Sequence, residues 1–139
     1  MAITGGCLCG AVRFTIEADA PLGVRQCWCR VCQYLGAGSG TVNAIFPKGA
    51  LTVAGPLTDY VSRADSGSTM HRRFCARCGT DVFSEAEERP TVIFVRAGTL
   101  DDPNQATPTA TIWTKSAPKW ACFDPSLPEV EGHPPPLKV

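Results

Sequence analysis

Residues 27 to 32 read CWCRVC, three cysteines in a C-x-C-x-x-C spacing. Two further pairs frame them, Cys7 and Cys9 in GGCLCGAV and Cys75 and Cys78 in FCARCG, and an eighth cysteine, Cys122, stands alone in KWACFD. How these thiols are read depends on the compartment. The opening residues, MAITGG, carry neither the basic nor the apolar region of a secretory signal, and no run approaches the roughly 18 apolar residues of a spanning helix. A cytosolic protein without membrane contact is the expectation. In a reducing compartment closely spaced thiols serve as metal ligands or catalysts more often than as disulfides.

The rest of the composition narrows the possibilities. A chain of 139 residues that is 44% hydrophobic can bury a core as one domain without covalent staples. Thirteen basic and thirteen acidic residues balance to zero net charge and are spread along the chain, so no electropositive face is available for a phosphate backbone and nucleic acid is not an expected partner. In AVRFTIEA, Val12, Phe14 and Ile16 alternate with Arg13, Thr15 and Glu17, the period of a half-buried strand. TVNAIF, LTDYVS, HRRF and TVIFVRAG are similar short runs rich in β-branched and aromatic residues. Thirteen glycines and twelve prolines punctuate them and leave little room for helix beyond a short turn after Cys29. The ending PSLPEVEGHPPPLKV is too rich in proline to add to a core, so the expected organisation is one domain over residues 1–125 and a proline-rich tail over 126–139.

Metal geometry accounts for the cysteine spacing. Thiolates at about 2.3 Å from a tetrahedral zinc lie roughly 3.8 Å apart, and cysteines two residues apart on an extended segment point to the same face. C-x-C therefore chelates. In FCARCG the glycine after the second cysteine lets the chain turn so that backbone N–H groups reach the thiolates. Cys7 and Cys9 with Cys75 and Cys78 complete a closed four-thiolate site, leaving Cys27, Cys29 and Cys32 as three ligands with one open position, the arrangement of a catalytic zinc. The other partition joins Cys29 and Cys32 to Cys75 and Cys78 as a zinc ribbon and leaves Cys7, Cys9 and Cys27 for the open site. The 42 residues between those pairs exceed the ~15 to 20 usual in such ribbons. Either way the count is four plus three, or two zinc ions per chain. Three thiolates already leave zinc with net charge minus one, which favours an exogenous thiol over an acidified water in the fourth place.

The blocks GGCLCGAVRF, CWCRVC, FCARCGT and IWTKSAPKW, in this order over nearly the whole chain, resemble the glutathione-dependent formaldehyde-activating enzyme family, also called the CENP-V/GFA domain. The resemblance implies a mainly β fold of the Mss4-like or β-tent type, with short antiparallel sheets and little helix. It implies a structural zinc on Cys7, Cys9, Cys75 and Cys78 and a catalytic zinc on Cys27, Cys29 and Cys32. It also implies a carbon–sulfur lyase or synthase that binds a small thiol such as glutathione and handles its adduct with formaldehyde or a related electrophile. The chain departs from the family pattern at Leu8 and Trp28, where histidine is common between the paired cysteines, and at Gln33, where a basic residue is common. Trp28, held between two ligands of the open site, is the expected substrate contact.

Two other functions fit the same residues: a non-catalytic two-zinc scaffold or interaction module, if Cys122 or Asp124 folds back to close the second site, and a redox- or metal-sensing thiol protein. The remaining residues have plainer expectations. Cys122 reads as a buried small hydrophobe, His71 and His133 as bystanders to the metal, Trp113 and Trp120 as packing, and Arg72 and Arg73 as a solvated strand edge, with the alternative that one of the two arginines meets a carboxylate of a peptide thiol.

Overall fold

The computed structural model describes residues 2–137. Among these residues the fold is mainly β with little helix, as expected. A three-stranded antiparallel sheet is built from β1 (Ile3–Gly6), β2 (Arg13–Ile16) and β5 (Leu51–Ala54) in the order β1-β2-β5. The larger sheet contains β3 (Gly23–Cys27), β4 (Thr41–Pro47), β6 (Leu57–Arg63), β7 (Thr69–Cys75), β8 (Asp81–Ala86), β9 (Val92–Arg96), β10 (Ala110–Ile112) and β11 (Glu129–Val130). Their order across that sheet is β11-β10-β3-β4-β9-β8-β7-β6. One α-helix, α1 (Arg30–Leu35), interrupts the β3–β4 connection at CWCRVC.

The pleat of the larger sheet separates its two faces, because successive side chains on a strand point in opposite directions. Val24, Ala44, Phe46, Ile93, Val95 and Phe83 point to one face, where Ile3, Val12, Phe14 and Ile16 of the small sheet meet them to form the core. Phe46 and Phe83 are 0% and 1% exposed, and Phe14 packs edge-on against Phe83 with ring centres 5.1 Å apart. Side chains of this size contribute about 1.5–3 kcal/mol each on burial. The intervening positions face the other way. Arg25 is in register with Asn43 and Asn43 with Arg96, while Ile45 pairs with Phe94, Phe94 with Ser84 and Ser84 with Arg72. Those rows floor a cleft.

β10 runs parallel to β3, and β11 parallel to β10. The proline-rich ending is therefore tied to the sheet through residues 129 and 130, which pair with Thr111 and Ile112 of β10 at the sheet edge. Between the two sheets, Gly5 bridges to Leu100, and a Cβ at Gly5 would collide with the Thr99 carbonyl and the Phe14 ring. The same junction is tied by Arg13, whose Nη1 donates to Asp101 over 2.9 Å, and by the Thr4 hydroxyl, which donates to Asp101 over 2.6 Å.

Arg13 and Thr4 lower the Asp101 carboxyl to about pH 2. A carboxyl with a depressed folded-state pKa stabilises the fold above its ordinary pKa, and loses that contribution as pH falls through the lowered value. Because both partners of this ion pair are about half exposed, the effect is screened to below about 1 kcal/mol. Asp101→Asn is expected to lower thermal stability slightly at pH 7 and to match the parent protein near pH 2. A gap between the two that persists unchanged to pH 2 would show that the carboxylate charge is not the source.

Candidate metal centres and the adjoining cleft

The first cysteine group lies where the ends of β1 and β7 meet. Cys7 follows β1 directly, and a tight turn, with Gly10 N–H donating to Cys7 O and Cys7 N–H to Val12 O, brings Cys9 back beside it. Cys75 ends β7 and Cys78 lies in the turn before β8. The Cys7 and Cys9 sulfurs are 3.6 Å apart and the Cys9 and Cys75 sulfurs 3.8 Å, close to the roughly 3.8 Å edge of a zinc–thiolate tetrahedron. All four sulfurs lie within 4.8 Å of one another. Cys75 and Cys78 thus group with Cys7 and Cys9, not with Cys29 and Cys32.

The backbone around this group is arranged for anionic sulfur. Val12 N–H donates to Cys7 Sγ over 3.2 Å, and the N–H groups of Arg77 and Cys78 donate to Cys75 Sγ over 3.3 and 3.5 Å. The turns that aim these amides pass through Gly10 at φ +81° and Gly79 at φ +77°, where a side chain would be strained. The Thr80 hydroxyl, 3.1 Å from Cys78 Sγ, lowers that thiol to about 5.

The second group comprises Cys27 at the end of β3, Cys29 at the N-cap of α1 and Cys32 one turn into the helix, with 7%, 7% and 6% of their surfaces exposed. Cys32 N–H donates to Cys29 Sγ over 3.4 Å, and all three sulfurs lie within 4.8 Å of one another. Buried thiols this close cannot all ionise unaided: the Cys29 and Cys32 thiols push Cys27 upward, while the hydrogen bonds of Cys27 and Cys29 pull Cys32 downward. A thiophilic cation relieves that conflict, so the donor set fits one. Among the described residues no fourth histidine, cysteine or carboxylate joins the group. Cys122 is exposed, with its sulfur 4.0 Å from Trp120 O, and Asp124 is occupied by Ser126.

All three cysteines line a cleft that encloses about 720 Å³ of space, part of it open to solvent. Its other walls carry Arg25, Arg72, Arg89, Arg96, Trp113 and His133. Arg96 is held by Asp81, 2.7 Å from its Nε, and by the Asn43 carbonyl oxygen. Trp113 adopts a left-handed backbone at φ +56°, uncommon for a bulky residue, in the turn that also sets Ser116 N–H on its carbonyl.

Several expectations change here. Trp28 does not line the cleft: it is 3% exposed, its ring is 5.8 Å from that of Phe123, and its Nε1 has no partner. The reason is alternation, since a residue between two ligands on an extended segment points away from them. Trp113 is the indole at the cleft instead. Gln33 is buried, donating from Nε2 to the carbonyls of Trp28 and Ser116 over 2.8 and 2.9 Å, so it clamps α1 to the 114–116 turn. Leu8 is 90% exposed. Arg72 is buried in the cleft wall, not solvated, because β7 lies inside the sheet between β6 and β8; its neighbour Arg73 pairs with Glu85 over 2.5 Å. Cys122 is exposed because it sits in the irregular segment 121–124 between two turns, not on a strand. His71 is held by Asp59 and Glu87 at the surface, away from either cysteine group. Of the residues missed, Arg25 was detectable, since it precedes Cys27 by two on one strand and so shares its face.

Known proteins place the chain among these features. The sequence profile described as "Glutathione-dependent formaldehyde-activating enzyme" matches residues 2–116, and the chain belongs to that family. A Halomonas elongata protein named "Putative glutathione-dependent formaldehyde-activating enzyme" is 29% identical over 105 residues, covering 73% of this chain and 67% of that one. A crystal structure of a Rhodobacter sphaeroides protein shares the fold with a TM-score of 0.56 at 24% identity, over 70% of this chain and 87% of the other.

The two groups differ in what their loss should do. Cys75→Ser removes a sulfur from the group that brings residues 7–9 to the β7–β8 turn, and a structural zinc held there would contribute roughly 10 kcal/mol or more of apparent folding free energy. Cys29→Ser disturbs only a local clip. We expect Cys75→Ser to lose its cooperative thermal transition and Cys29→Ser to stay folded with one zinc fewer by elemental analysis. Equal loss of the transition in both variants would mean that both groups are structural.

Proposed function

We propose that the protein is a zinc-dependent carbon–sulfur lyase or synthase that binds a small thiol, glutathione or a close relative, and handles its adduct with formaldehyde or a similar electrophile. The observation that carries this reading is the trio Cys27, Cys29 and Cys32: three buried sulfurs, no fourth protein donor among the described residues, and a cleft at their open side. Cys7, Cys9, Cys75 and Cys78 hold a second, closed zinc, giving two ions per chain. Zinc held by Cys27, Cys29 and Cys32 would supply a Lewis acid that lowers the pKa of an exogenous thiol.

The chain's own residues do the rest. Cys32 N–H fixes Cys29 Sγ, and Gln33 fixes α1 against Ser116, so the spacing of the trio is set before any ligand arrives. Arg96, oriented by Asp81 and Asn43, adds positive charge that favours the ionised form of Cys32. Trp113, Ile112 and Phe94 provide apolar wall against which a substrate backbone can lie away from water. The scaffold reading needs a closed second site, and neither Cys122 nor Asp124 reaches it. The cytosol, where such thiols are abundant and reduced, is the proposed setting.

Zinc-loaded protein mixed with glutathione and formaldehyde should speed formation and breakdown of the S-hydroxymethyl adduct, followed by exchange NMR. Cys29→Ser, still folded, should fall to the uncatalysed rate. Parent protein that leaves the exchange rate unchanged at full zinc occupancy would refute the activity.

A further inference from the structure

The cleft holds an unusual excess of one charge. Arg25, Arg72, Arg89 and Arg96 line it against a single carboxylate, Asp65, and only Arg96 forms an ion pair among the described residues. Arg72 is the most telling of them. It is 6% exposed, and its one side-chain hydrogen bond runs from Nη1 to Ser62 Oγ over 2.8 Å. Nε is buried without an acceptor, and Nη2 has none either. Nε–H and Nη2–H together form the side-on fork of a guanidinium, whose two parallel donors match the two oxygens of a carboxylate. Ser62 fixes the third nitrogen, so the fork is oriented before anything binds. A buried Nε–H without an acceptor is costly to keep unless a ligand completes it, and Nη2 beside it is open to solvent.

The mouth repeats the pattern more loosely. Arg89 donates to His133 Nε2, and Arg25 Nη2 donates to Pro135 O over 3.3 Å, so both guanidiniums are positioned by neutral acceptors of the C-terminal segment. Burial and the two arginines hold His133 below its ordinary pKa, which keeps it an acceptor. Two adjacent guanidiniums without a carboxylate favour an anion between them.

We infer that Arg72 is the carboxylate-anchoring residue of the cleft, receiving one substrate carboxylate side-on, and that Arg25 and Arg89 receive a second at the mouth. Arg72 then determines the selection of carboxylate-bearing thiols over neutral ones. The assignment rests on the trio as the thiol's attachment point, but its central feature is separable from the metal. The alternative, that Arg72 merely balances the charge of the three sulfurs, leaves its fork without acceptors and predicts no preference for carboxylates.

The test uses the two-zinc protein and three probes: glutathione, its sulfur-free analogue with 2-aminobutyrate in place of cysteine, and 2-mercaptoethanol. Calorimetry measures binding of the sulfur-free analogue. Cobalt substitution, read by the thiolate-to-cobalt charge-transfer band, measures attachment of the two thiols. Arg72→Lys keeps the charge and removes the fork. It should weaken glutathione and the analogue at least tenfold and leave 2-mercaptoethanol within twofold. Arg89→Gln, at the exposed mouth, should weaken the same two ligands less and also spare 2-mercaptoethanol; it carries the test should Arg72→Lys fail to fold. Failure of the analogue to bind the parent protein, or an equal effect of these variants on all three probes, would overturn the assignment. An analogue that binds in an Arg72-dependent way, with no thiol altering the cobalt band, would support the carboxylate site and refute the thiol reading instead.

Discussion

Three cysteine sulfurs within 4.8 Å of one another, each more than nine-tenths buried, make a set that cannot ionise together without a cation. Each further ionisation raises the cost of the next in a site with little water, which is why Cys27 is driven up while Cys32 is driven down. A divalent cation would resolve the conflict, and the group offers it three sulfurs with no fourth donor among the described residues. The surrounding structure is organised around that group. The end of β3, the N-cap of α1 and the first turn of the helix supply the sulfurs, and the clamp from Gln33 keeps the helix in place.

The other half of the site follows from the pleat. One face of the larger sheet must bury Ala44, Phe46, Ile93 and Val95 under the small sheet, so the alternate positions Asn43, Ile45, Phe94 and Arg96 are directed to the opposite side. The same parity carries Arg25, Ser84 and Arg72 there through the register of β3, β8 and β7. The cleft is thus a by-product of core formation that the sequence has lined with guanidiniums. The first cysteine group acts at a distance from it, fastening the β7–β8 turn to the end of β1, so that the strand carrying Arg72 is anchored at its Cys75 end.

Much of this was legible before any coordinates. The alternation of Val12, Phe14 and Ile16 marked β2, the cysteine spacings marked the three clusters, and the glycine after Cys78 marked the turn that aims amides at sulfur. These are local signals, each contained within about ten residues. What could not be read was long-range register. Nothing in HRRF distinguishes Arg72 from Arg73 until β6 and β8 are placed on either side of β7, after which one is buried in the cleft and the other pairs with Glu85. Trp28 was misjudged through sequence adjacency, which on an extended segment means opposite faces. Trp113 and His133 reach the cleft only because β10 adds in parallel to β3 and β11 in parallel to β10, pairings between segments far apart in the chain.

Zinc K-edge X-ray absorption on the fully loaded protein, with and without glutathione, tests the open trio most directly. One closed site with four sulfurs and one open site with three average about 3.5 sulfurs per zinc, and a thiol that joins the second ion raises the average to about 4. A sulfur count that starts near 4, or one that stays near 3.5 at saturating glutathione, would contradict a three-cysteine zinc whose remaining ligand is the substrate thiol.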